Sequence, residues 1–166
     1  NVLKQDQQDI TLKHDVVKAL MDIDDTKALP ALLDFYKKSF SSNTKPTNKL
    51  PALSQVLIKL ADKKTILTLL QSDLEDIRIS AVRAIPHFQK QLDINRLIPG
   101  LMKIQSNKIR VEVIQILTKV KYEKAFSLLV RIIKSVNIDV KLQKAAILTL
   151  GRLDNSKGTD IISKSI

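Results

Sequence analysis

Cysteine and tryptophan are both missing from the 166 residues. The first absence excludes a disulfide framework, a thiolate zinc site and a cysteine nucleophile, and it leaves the compartment open. Aromatic residues make up only 4%, so stacking surfaces for exposed bases are scarce. Three glycines and five prolines are too few for an all-β chain, which needs a turn about every 8–12 residues. No apolar run approaches the roughly 18 residues of a membrane span. No signal peptide is visible. Asn1 rather than Met stands first, so the sequence is expected to be processed or cut from a longer chain.

Catalytic groupings are equally sparse. His14 and His87 have no His, Asp or Glu four residues on, so neither begins a helical metal pair. No serine stands in an arrangement with a histidine base. Gly100, Gly151 and Gly158 are isolated, which excludes a glycine-rich phosphate loop. Asp22, Asp24 and Asp25 cluster, but in a stretch between helical patterns, where such residues cap and turn. The chain reads as a non-enzyme with no cofactor and no metal.

What the chain does have is helical periodicity. In "VKLQKAAILTLGRLDN" (140–155) the apolar residues Leu142, Ala145, Ala146, Leu150 and Leu153 fall at helical spacing, and Gly151 and Asp154-Asn155 supply breakers. The same pattern recurs. "IRISAVRAIPHF" (77–88), "IRVEVIQILTKV" (109–120) and "LQKAAILTLGRL" (142–153) align without gaps, 32 and 33 residues apart. "LKHDVVKALMDI" (12–23) fits the same frame, and a weaker copy, "PALSQVLIKL", ends at Leu60. After each copy come a polar link and a second apolar segment: "DTKALPALLDFYKKSF", "KKTILTLLQS", "DINRLIPGLMKIQ", "YEKAFSLLVRIIKSV" and "GTDIISKSI". The unit is helix, turn, helix. Its copies occupy about residues 9–40, 48–73, 76–105, 107–136 and 138–166, a period typical of stacked helical repeats. The polar stretch "SFSSNTKPTNK" (39–49) reads as a long inter-repeat loop.

With "IRISAVRAI" and "KAAILTLGRLD", a β-branched residue with Arg, then small residues and a closing Leu, the chain resembles the HEAT-repeat family in its short bacterial-type form. The resemblance covers roughly residues 9–166, and Pro51 departs from it where a first helical turn is expected. It implies an all-α fold: a single domain built as a right-handed α-solenoid of about five stacked antiparallel helix pairs. A finished solenoid needs a polar outer face on its last repeat, yet "TDIISKSI" carries Ile161, Ile162 and Ile166. The array is therefore expected to continue, or its end to be covered. In HEAT-like hydroxylases iron is held by repeated His-Glu pairs, and HEAT-like DNA glycosylases use Trp; this chain has neither.

Charge is distributed unevenly. The chain carries 28 Lys and Arg against 17 Asp and Glu, a net of +11. Residues 1–77 hold 11 of each sign, whereas residues 78–166 hold 17 basic and 6 acidic side chains. Aligning the second segments on Leu32, Leu69, Leu101, Leu129 and Ile162 puts Lys27, Lys64, Arg96, Lys124 and Lys157 five positions earlier. Asp34, Gln71, Lys103, Arg131 and Lys164 stand two positions later. Because second helices line the concave side of HEAT arrays, the resemblance implies a groove edged by one basic column throughout and a second toward the C-terminus. A solvated face is the competing reading. Self-repulsion decides nothing between them: charges about 10 Å apart in water repel by only about 0.4 kcal/mol, less after screening. Arg78 and Arg110, with Lys13, open the first helices. The resemblance implies that they pair with an acidic neighbour, for which Glu75, Asp76 and Asp139 are near in sequence.

These features predict a scaffold or adaptor that binds an acidic protein through Arg96, Lys103, Lys124, Arg131, Lys157 and Lys164. Nucleic-acid binding through the phosphate backbone, by the same residues, is the alternative. An enzyme subunit resembling the HEAT-like lyases is a third reading and rests on fold alone.

Overall fold

The structure is a computed structural model and describes residues 15, 17–19, 22, 26–41 and 53–153. Among these, every regular element is a helix and no strand occurs. The chain divides into two compact units, Asn1–Ala84 and Ile85–Ile166.

In the first unit, residues 15, 17–19 and 22 are helical and Val17 is buried. Asp22 is thus helical; Asp24 and Asp25 lie outside the described residues. A 3-10 turn, Thr26–Ala28, leads into α1 (Leu29–Ser41). The helix buries Leu29, Leu32 and Tyr36, one stripe at i, i+3 and i+7. It continues through residues 39–41, where the sequence suggests the start of a loop; the rest of that stretch lies outside the described residues. Next come α2 (Leu53–Leu60), α3 (Lys63–Leu69) and α4 (Glu75–Ala84). Helix α2 packs on α1, and α4 packs on both α2 and α3. Asp62 caps α3 by accepting the Thr65 N–H at 2.8 Å; hydrogen bonding from the Thr65 side chain, and then from its backbone, holds the carboxyl below the usual range. Helix α4 ends at Ala84 because Pro86 has no N–H and its ring clashes with a continuing α-helix.

The second unit opens with a 3-10 turn, Ile85–Phe88, followed by α5 (Ile94–Met102), α6 (Asn107–Ile116), α7 (Ala125–Ile133) and α8 (Val140–Leu153). Helix α5 packs on α6, and α8 packs on both α6 and α7. Asp93 and Ser106 cap α5 and α6 through the N–H groups of Arg96 and Ile109.

The three aligned copies bury the same positions. Ile77, Ile109 and Leu142 are at most 1% exposed. Four residues on, Ala81, Val113 and Ala146 are buried; seven on, Ala84, Ile116 and Thr149; eight on, Ile85, Leu117 and Leu150. This i, i+4, i+7, i+8 stripe is one helix face. Six residues on, Arg83, Gln115 and Leu148 are all exposed. Helix α8 departs from expectation in two ways. Gly151 lies inside it, without a left-handed backbone, and does not end it. Leu153, at helical spacing with the buried Leu142, Ala146 and Leu150, is 37% exposed.

One residue after the start of each copy stands Arg78, Arg110 or Gln143, half-buried in every case. Side chains on a helix lean toward its N-terminus, so this position can reach the preceding link. Gln143 Nε2 donates to the carbonyl of Ile133, the last residue of α7, at 3.0 Å. A terminal nitrogen of Arg110 donates to the Gln105 carbonyl at 3.2 Å and to Asn107 Oδ1. The partners of Arg110 are thus a carbonyl and an amide rather than the expected carboxylate. Asp139 is engaged elsewhere, accepting the N–H groups of Lys141 and Leu142 at the start of α8. The Lys121 N–H also donates to Gln89 Oε1, 3.3 Å away and 32 residues apart. That separation equals the spacing of the first two aligned copies.

Two outcomes follow from this packing. Ile109→Ala should lower the free energy of unfolding by about 2–5 kcal/mol, while Gln115→Ala on the exposed line should change it by less than about 0.5 kcal/mol; urea denaturation of both variants checks this. Tyr36 is 1% exposed, and burial pushes its phenol from 10.0 up to about 12. The folded state therefore holds this proton more tightly than the unfolded chain does. The stability this contributes is intact below pH 10.0 and falls as pH climbs to about 12. Tyr36→Phe should flatten that alkaline decline in urea midpoints measured across the same range.

Candidate partner-binding surface

The leucines used to align the second helices are all buried: Leu32 is 4% exposed, Leu69 6%, Leu101 5% and Leu129 0%. On an ideal helix, the positions two after and five before such an anchor lie about 200° and 220° round from it. Both therefore face away from the core, two turns apart on one line. The structure exposes every described residue of the two sets: Lys27, Lys64, Arg96 and Lys124, and Asp34, Gln71, Lys103 and Arg131.

The sets differ between the units. In the first, Asp34 Oδ2 lies 2.8 Å from Lys38 Nζ, an i, i+4 pair on α1. This exposed pair adds little to stability and neutralises the line locally. In the second, Arg96 sits in the first turn of α5 and Lys103 is its C-cap. Lys124 is the N-cap of α7, with no side-chain capping bond, and Arg131 lies in its last turn. No described carboxylate forms a salt bridge with any of these four. Residues 85–166 hold 15 basic and 6 acidic side chains, so few anions are available nearby. Lys157 and Lys164, and the isoleucine-bearing last segment, lie outside the described residues. Two pairs, one on α5 and one on α7, are therefore placed.

Among the described residues, no group of three His, Cys, Asp or Glu side chains could hold a metal ion, and no helix is long and apolar enough to cross a membrane. His87 is exposed, and its ring meets the edge of Phe88 at a centroid distance of 5.2 Å. His14 lies outside the described residues.

One surface feature escapes a reading based on charge alone. Val136 and Val140 are 95% and 75% exposed at the link into α8, and Leu148 is 53% exposed on that helix. The aligned copies contained the signal: Leu148 stands where Arg83 and Gln115 stand, and Lys144 where Ile79 and Val111 stand.

No protein-family model, curated protein or solved structure matches the chain.

Because Lys103 and Arg131 contribute charge to solvent rather than packing, reversing both to Glu should shift unfolding by less than about 0.5 kcal/mol per site. Thermal denaturation followed by circular dichroism checks this.

Proposed function

We propose that the chain is a HEAT-type repeat module, a right-handed solenoid of about five helix pairs, that acts as a non-catalytic scaffold for an acidic protein partner. The recurrence of one buried stripe in three copies supports the repeat reading. One observation carries the functional reading: Arg96 and Lys103 on α5, and Lys124 and Arg131 on α7, stand exposed on the line opposite a buried leucine, in a half of the chain where basic side chains outnumber acidic ones 15 to 6. Lys157 and Lys164 extend the same register in sequence.

The mechanism is electrostatic docking. Cations held at fixed spacing on helix faces raise the encounter rate with an acidic surface and select against basic ones. Each exposed pair contributes only about 0.2–1 kcal/mol, so affinity comes from several cations acting together and declines with salt. The phosphate backbone of a nucleic acid offers the same charge, but its binding would fall far more steeply with salt, with a slope of about −0.9 per phosphate neutralised on duplex DNA.

Affinity capture from native lysate, with and without nuclease, tests the reading. Acidic proteins should be retained after nuclease treatment, and Lys103→Glu with Arg131→Glu should reduce their retention about tenfold. Retention that disappears with nuclease, together with a salt-sensitive gel shift on duplex DNA, would assign the surface to nucleic acid instead.

A further inference from the structure

The outer face of α8 does not resemble the outer faces of the helices it aligns with. Val140, Lys144, Leu148, Lys141 and Arg152 are all exposed. At 3.6 residues per turn they occupy an arc of about 120°. Leu142, Ala145, Ala146, Thr149 and Leu150, on the remaining arc, are buried. The exposed arc alternates apolar and cationic side chains and carries no carboxylate. Asp139, one residue before the helix, is occupied in capping it.

The link leading into α8 reinforces this face. Six residues separate α7 from α8, against four between α5 and α6. Near the middle of this longer link stands Val136, 95% exposed. Where α8 begins with Val140, the aligned helices α4 and α6 begin with Glu75 and Asn107. A link and first turn open to water normally carry polar residues, and here both carry valine. The exchange at Leu148 has the same direction.

We propose that this face docks the chain peripherally on an anionic lipid surface. Val136, Val140 and Leu148 would enter the headgroup boundary, while Lys141, Lys144 and Arg152 engage acidic headgroups. A valine at 95% exposure is a knob without a socket, and a protein partner would have to supply a matching pocket. A bilayer interface accepts an apolar knob without one. Cations beside the apolar residues complement acidic headgroups and fall within the short reach of the surface potential. No aromatic residue is present in this arc, so attachment depends on lipid charge and is reversible. The face uses none of the six residues assigned to partner capture and stands independently of that reading.

Vesicle co-sedimentation of the full chain tests the proposal, using phosphatidylcholine vesicles with and without phosphatidylglycerol. The protein should pellet with the phosphatidylglycerol-containing vesicles only, and less so as salt rises. Val136→Ser with Val140→Ser, and separately Lys141→Ala with Lys144→Ala, should each weaken binding while circular dichroism stays unchanged. Each lysine removed should cost about fivefold in partitioning. Lys103→Glu with Arg131→Glu should keep most of the vesicle binding while losing partner capture, which separates the two surfaces. Failure of the wild type to pellet with phosphatidylglycerol vesicles would overturn the proposal. So would a double valine variant that binds as well as the wild type.

Discussion

A helix with an apolar stripe at i, i+4, i+7 and i+8 must cover that stripe from more than one direction. In this chain α4 lies against α2 and α3, and α8 lies against α6 and α7. One neighbour comes from the preceding second helix and the other from the preceding first helix. The apolar face thus binds successive copies as well as adjacent helices, and the other regularities follow from it. The spacing of 32 or 33 residues keeps the same side chain at the same place in each copy. The bond from the Lys121 N–H to Gln89 Oε1 connects one copy to the next at that interval. Polar ties then settle what apolar burial leaves loose, since burial is non-directional. The amide of Gln143 secures the carbonyl of the last residue of α7, where carbonyls lack intrahelical partners, and the guanidinium of Arg110 secures one in the link before α6.

Much of this was legible because burial depends on residue type and period. The leucine anchors Leu32, Leu69, Leu101 and Leu129 and the stripe from Ile77 to Leu150 follow from apolar spacing, and they are buried in the structure. Helix ends were harder to read. Gly151 looks like a stop, yet glycine ends a helix only where the backbone turns left-handed, and here α8 passes through it. The partners of Arg110 also escaped prediction. A guanidinium presents five donors and can donate to a carbonyl or an amide oxygen as well as to a carboxylate. Which one it meets depends on link length, and Asp139 was already committed to capping α8. Exposure at Leu153 depends on what stands beside the helix, which periodicity alone does not encode.

The candidate surfaces depend on positions that packing leaves vacant. Opposite each buried leucine the side chain points to water, and almost any residue there is compatible with the fold. The first unit places Asp34 at this position, paired with Lys38, and the second places Lys103 and Arg131. Neither choice affects the core. Like charges on neighbouring helices repel by only a few tenths of a kcal/mol in water, so the fold does not oppose a basic line. Charge at these positions was readable in sequence once the anchors were aligned. Its arrangement on α5 and α7 required the helices themselves.

Helix α8 separates the demands of folding from those of surface chemistry. At one vacant position Arg83 and Gln115 give way to Leu148, and at a partly packed one Ile79 and Val111 give way to Lys144. The buried stripe is unchanged, so packing did not require either exchange. Burying Leu148 would return roughly 1.5–3 kcal/mol, and here about half of its surface stays in water. Single exposed leucines are ordinary. This one shares its face with Val140 and lies one link away from Val136, and cations take up the space between, where apolar residues would have extended the core. The stripe fixes where α8 lies, and the residues outside it determine what α8 presents to its surroundings.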